Sequence, residues 1–263
     1  MTVATIEAPA HRYGLVHVVR AERTKLFSLR STFWTMLVTF AGSLAVTVLS
    51  ATSAGHHTRA WYQGFDPTNQ SLAGLMIAVL SIGVLGTLAM TGEYGSGTMR
   101  STLAAAPRRP LLLGAKAVVA GVVTLLAGEV LAFCCFGVGQ LLLTHGGAPT
   151  ASLDQAGVLR AVALYGAYLA LLALAALGLG LIVRHTAGAL AAYAGLTFLL
   201  PVILQRISGH AGEYTPLGLL ANSVAAVRHQ QSAVPAPLAF ALMAVYAAVL
   251  LTLGGVLLVR RDA

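Results

Sequence analysis

Side chains able to move protons, attack carbonyls or hold metals are few in this chain of 263 residues, and they do not gather. One carboxylate, Glu129, falls in the middle of an apolar run. An exposed charge there costs about 3 kcal/mol on insertion scales, so it must face protein or a wet cavity. Two readings stay open for it: a polar point on a transport path or dimer interface, or a protonated packing residue. Cys134 and Cys135 are neighbours, which on a helix point about 100° apart, and they read as packing residues rather than a disulfide or metal pair. His56, His57, His145, His210 and His229 lack the helical i, i+4 spacing and the companion carboxylates or thiols of a metal site. No nucleophile, base and orienting group fall together, and no G-x-x-x-x-G-K-[ST] phosphate loop occurs. The expectation is a chain with no catalytic residue, no metal and no cofactor of its own.

A second polar pattern is periodic. Thr35, Thr39, Ser43 and Thr47 recur every four residues and drift by about 40° each, which draws one hydroxyl stripe along a helix. Such a stripe either lines a path or packs helix on helix, because these hydroxyls also bond back to their own carbonyls. Gly178, Gly180, Gly188, Ala191 and Gly195 read as sites of close helix contact.

What must position these residues is a membrane bundle. Hydrophobic residues make up 57% of the chain and charged residues 9%, whereas soluble domains carry about 25% charged residues. Mean hydropathy is +0.82. Six runs almost free of charge, at residues 33–51, 72–90, 117–143, 158–183, 187–204 and 238–259, reach or approach the ~20 residues that span ~30 Å of hydrocarbon. The predicted fold class is therefore all-α, with six transmembrane helices. A barrel would show dyad alternation in segments of about 10 residues, which is lacking. The fifth run is the shortest and carries Pro201 near its end.

Six spans put both termini on one side. That side holds twelve of the sixteen basic residues: Arg12, Arg20, Arg23, Lys25, Arg30, Arg100, Arg108, Arg109, Lys116, Arg184, Arg260 and Arg261. Only Arg59, Arg160, Arg206 and Arg228 fall opposite. The positive-inside rule then predicts cytoplasmic termini in the plasma membrane. It also accounts for the formal charge of +8 through contact with anionic lipid, without nucleic acid. The basic start is not read as a secretory signal, because the first run is longer than the roughly 7–15 residues of an h-region.

The expected division is a tail with an interfacial helix at 1–31, a membrane domain at 32–259 and a cytoplasmic tail at 260–263. Leu15, Val18, Val19, Leu26 and Leu29 share one helical face, with Arg20 and Thr24 opposite, as for a helix lying in the interface. The alternative is a cytoplasmic extension of the first span. Glu22 breaks the stripe and is expected to pair with Lys25 or with another basic residue of the same layer. Trp34 fits an aromatic anchor at headgroup level.

Between the second and third runs, residues 91–110 carry a short polar helix pattern. Ser96 or Thr98 can cap its start, Met99, Leu103 and Ala106 recur at helical spacing, and Pro107 ends it. Tethered to the bilayer at both ends, its apolar edge needs either headgroups or a docking partner.

These segments resemble a family. Glu22-Arg23-Thr24-Lys25 followed by Ser28-Leu29-Arg30-Ser31-Thr32-Phe33-Trp34, then Glu93-Tyr94, Gly97-Thr98-Met99-Arg100, Leu103, Pro107-Arg108-Arg109 and Ala115-Lys116, are similar in order and spacing to permease subunits of type-2 ATP-binding-cassette exporters, in their actinobacterial form. The resemblance implies a subunit without chemistry of its own. Two such subunits, as a homodimer or a heterodimer, would form the path. A separate ATPase subunit would hold ATP and Mg and dock on the loop from Glu93 to Arg109. Met99 and Leu103 would enter a cleft on that ATPase, and Glu93 would pair with one of the loop arginines. Glu129 and the stripe from Thr35 to Thr47 would line the path, Glu22, Lys25, Arg30 and Trp34 would belong to the interfacial helix, and residues 214–220 would form an outer cap. The substrate class would be a hydrophobic or amphipathic molecule such as a drug, natural product or lipid. The runner-up is a proton-coupled secondary transporter using Glu129, although such folds commonly show internal repeats and several buried charges.

Overall fold

Six helices long and apolar enough to cross a membrane follow one another in the chain, and the described residues contain no strand. The structure is a computed structural model and describes residues 14–28, 30–55, 61, 62, 64–99, 101, 102, 109–225 and 234–260. The protein is an all-α, multi-pass membrane protein. Its spanning helices are α2 (Arg30–Ala54), α4 (Leu75–Gly95), α5 (Arg109–His145), α6 (Val158–Val183), α7 (Thr186–Ile207) and α9 (Ala236–Arg260). Shorter helices are α1 (Leu15–Ser28) before the first span, α3 (Pro67–Leu72) before α4, and α8 (Pro216–Val224) before α9.

The expected first, fourth, fifth and sixth spans match these helices closely, and the second and third differ for local reasons. Asp66 caps α3 by accepting from the N–H groups of Thr68 at 2.9 Å and Asn69 at 3.2 Å, so Leu72 ends a separate short helix instead of opening the second span. α4 runs on to Gly95, and α5 begins at Arg109, eight residues before the expected start at 117. At 37 residues α5 is about 55 Å long, far more than the hydrocarbon requires. The polar connection between these helices is correspondingly short. α7 widens into a π-turn at Gly195–Leu199, just ahead of Pro201, which has no N–H to donate to the preceding turn.

Burial follows membrane logic. α2 exposes Phe33, Trp34, Leu37, Val38 and Leu49 and buries Thr32, Thr39, Ser43 and Thr47. α6 is the central helix, with Tyr168, Leu169, Leu172, Leu177 and Leu181 fully buried against α4, α5 and α9. Small residues let backbones meet, since a Cβ at Gly86 would stand 2.5 Å from the carbonyl oxygen of Ala173, and one at Gly178 2.7 Å from that of Leu250. Far from the N-terminus, Gln140 of α5 donates to the carbonyl of Pro67 and the hydroxyl of Ser71, both at 3.0 Å, and accepts from the N–H of Ala151 at 2.8 Å. α8 packs its Pro216, Leu219, Leu220 and Val224 into the protein. Tyr168 Oη donates to the Pro216 carbonyl. α8, in the segment expected as an outer cap, thus packs on α6 and α9.

Candidate functional site: a buried ionic chain

Four charged side chains from three helices meet where α4 ends and α5 begins. Lys116 Nζ, on the second turn of α5, donates to Glu22 Oε2 of α1 at 2.7 Å and to Glu93 Oε1 of α4. Lys25 Nζ of α1 donates to the same Glu93 oxygen at 2.6 Å. The order is Glu22, Lys116, Glu93, Lys25, with charge alternating at each step. Lys116 is 4% exposed, Glu93 5%, Glu22 11% and Lys25 40%. Burying any one of these charges alone would be prohibitive, and the alternating chain is what makes burial tolerable.

Local sequence places each member. Glu22 and Lys25 are three apart on α1, so they fall on one face, the face that also carries Val18 against α5. Glu22 thus takes the second of its two expected pairings, with a basic residue of another helix in the same layer. Glu93, expected to pair with a loop arginine, is paired among the described residues with the two lysines, and Arg100 and Arg108 of that loop lie outside them.

A cavity of about 490 Å³ lies beside this chain between α1, α2, α4 and α5. Glu22, Lys25, Glu93 and Lys116 form its charged wall, and Leu26, Leu85, Leu88, Ala89, Val119 and Ala120 its apolar wall. Thr32, Thr35, Ser96 and Thr98 add hydroxyls. Glu93 Oε2 is buried with no hydrogen-bond partner.

The remaining expected site residues separate into groups. Met99 is 3% exposed and lies with Val18, Met90 and Leu112 in the protein's own core, so it does not offer an apolar edge to another chain. The cause is the turn at Gly97, whose φ of 71° folds the chain back onto the end of α4. Thr98 accepts from the N–H of Thr102 at 3.0 Å and so opens a helical turn, while the Ser96 hydroxyl donates back to Gly92 at 2.8 Å. Tyr94 lies under the guanidinium of Arg184, with Cζ 5.3 Å from the ring centroid. Arg109 Nη1 donates to the carbonyls of Leu258 at 2.7 Å and Val259 at 3.2 Å, capping the C-terminus of α9. Arg100, Leu103, Pro107 and Arg108 lie outside the described residues. Arg30 opens α2, and Trp34 is 61% exposed beside Phe33, as an interfacial anchor requires.

The hydroxyl stripe serves helix packing. Thr39, Ser43 and Thr47 are buried, Thr39 donates to the Thr35 carbonyl at 2.6 Å and Thr47 to that of Ser71 at 3.3 Å. A Cβ at Gly74 would stand 1.9 Å from the carbonyl oxygen of Ser43, which shows how closely α2 approaches the start of α4. Thr35, higher on the same helix, faces the cavity. Glu129 is apart from the ionic chain, pressed on α6 where a Cβ at Gly166 would meet its backbone nitrogen at 2.5 Å. Its Oε2 is buried and has no partner. Cys135 is buried and Cys134 exposed, and no group of three or more metal-ligating side chains occurs among the described residues.

Sequence reasoning singled out Glu93, Lys25 and Glu22 but not Lys116 as a partner that joins them. A signal was present. Arginine supplies fourteen of the sixteen basic residues, and the two lysines are both members of the ionic chain. A lysine can direct three N–H groups from a compact head, which suits a node shared by two carboxylates. No family model matches the chain, and no curated protein matches it either.

Proposed function

We propose that this chain is the membrane-spanning subunit of an ATP-binding-cassette exporter, moving a hydrophobic or amphipathic substrate with a separate ATPase. The observation that carries the reading is the ionic chain. It ties α1, the end of α4 and the start of α5 into one unit on either side of the short connection from Gly95 to Arg109. A push on that connection is thereby delivered to three helices at once, and through Arg109 to the end of α9 as well. The order and spacing of Glu93-Tyr94, Gly97-Thr98-Met99-Arg100 and Pro107-Arg108-Arg109 supply the family likeness. With Met99 turned inward, the docking surface would consist of the exposed Ser96, Gly97 and Thr98 and the segment that follows. Both termini and this connection would lie in the cytoplasm, and a second copy or a related permease would complete the path.

The test is co-expression with an ATPase chain encoded beside it, followed by co-purification and efflux. Alanine substitutions across residues 96–102 should release the ATPase while the permease stays inserted. Retention of the ATPase, or efflux that persists without any ATPase, would overturn the proposal. One observation favours the runner-up, a proton-coupled transporter: the unpartnered Glu129 Oε2. On that reading Glu129→Gln abolishes uptake or efflux driven by a proton gradient in vesicles lacking ATP.

A further inference from the structure

We infer that the cleft beside the ionic chain holds a membrane phospholipid whose head carries a primary ammonium next to its phosphate. This rests on the membrane assignment alone and does not depend on the exporter reading. A volume of about 490 Å³ is in the range of roughly 300–1,000 Å³ that small-molecule sites occupy, and the wall is of the usual kind, mostly apolar with a few polar groups at one side.

Those polar groups define the ligand. Glu93 is 5% exposed and lines the cleft, with Oε1 shared by two lysines and Oε2 left without a donor. A buried carboxylate oxygen in that state calls for an N–H or O–H from the occupant. Lys25 sits at the same wall, 40% exposed, with N–H groups beyond the one given to Glu93, and these call for an anion. Among the described residues the charged groups lining the cleft are these four, and they sum to zero, so a zwitterion is the occupant that matches them. An ammonium on Glu93 Oε2 and a phosphate on Lys25 satisfy both ends. Leu26, Leu85, Leu88 and Ala89 then line the cavity as an apolar bed for an acyl chain. A quaternary ammonium has no N–H for Glu93, and a glycerol head has no cation, so phosphatidylethanolamine fits where phosphatidylcholine and phosphatidylglycerol do not.

The experiment uses the full-length protein in nanodiscs containing equal amounts of these three phospholipids. After extraction, native mass spectrometry scores which lipid stays bound. Phosphatidylethanolamine should be retained over the other two by about tenfold or more. Gly92→Leu is the decisive variant. Gly92 lines the cleft and a Cβ there meets nothing within 4 Å, so the new side chain enters the cavity without displacing protein. It should lower retention by about tenfold while elution volume and helical content match the parent. Lys25→Met should lower it as well, and free phosphoethanolamine, the head without its chains, should not compete. Equal retention of all three lipids, or parental retention in Gly92→Leu, would overturn the inference. Competition by free phosphoethanolamine as strong as by the lipid would overturn it too, by making the occupant a soluble zwitterion. No ATPase is present in this assay, so a negative result leaves the exporter reading standing.

Discussion

Lys116→Met is the substitution with the most specific consequence. Lys116 is 4% exposed and is the node between Glu22, 11% exposed, and Glu93, 5% exposed. Its methionine replacement keeps the volume but strands two buried carboxylates beside a single ammonium, that of Lys25. Breaking a buried pair in this way costs about 3–5 kcal/mol. Lys25→Met removes the terminal and half-exposed member of the same chain, and water can take over much of its role, so about 1 kcal/mol or less is expected. The contrast between the two variants is the prediction. It is measured by equilibrium unfolding in mixed detergent and dodecyl sulfate micelles, followed by circular dichroism, after confirming membrane insertion of both. The alternation also predicts that swapping one pair fails. Exchanging the residues at positions 93 and 116 would set a carboxylate against Glu22 and an ammonium against Lys25, so the double variant should be no more stable than Lys116→Met. Equal losses for the two methionine variants, or recovery in the swap, would refute the claim that these charges act as one chain.

Three further outcomes can be checked with similar means. Gly83→Ala should destabilise by about 1–3 kcal/mol in the same unfolding assay, because a Cβ there would stand 1.9 Å from the Tyr193 ring. That ring cannot yield easily, since Tyr193 Oη is held on the Val79 carbonyl at 2.6 Å. Gln140→Leu should cost about 1–3 kcal/mol by leaving the Ala151 N–H without its acceptor, while the Pro67 carbonyl keeps the Ser71 hydroxyl. A cysteine at Ser96 should react with an impermeant thiol reagent only from the cytoplasmic side, and one at Gly64 only from outside; the reverse pattern would sink the positive-inside assignment.

The spans were legible because a bilayer asks little of a sequence. Length and apolarity alone decide whether a helix crosses, and the fourth run was readable to both ends, Val158–Val183, since turn residues flank it. Boundaries failed where polar residues continue a helix past the apolar part, as Glu93 and Tyr94 do in α4 and Arg109 to Lys116 do in α5. A hydropathy argument stops at the first charge. The helix stops only when backbone bonding does. Met99 shows the opposite failure: its side chain lies in the protein's own core, next to a turn at Gly97 that reverses the chain.

Composition and the count of apolar runs thus determined the architecture from the sequence alone, because transfer into hydrocarbon is a property of each segment by itself. The pairing of charges is not. Glu22, Lys25, Glu93 and Lys116 are up to 94 residues apart, and Glu22 and Glu93 had nearer candidates that looked adequate. Only the packing of α1 against α5, and of both near the end of α4, brings them within hydrogen-bond reach and leaves one buried carboxylate oxygen without a partner beside the cleft. Burial makes that choice decisive, because a charge removed from water must take the partner that three-dimensional packing supplies.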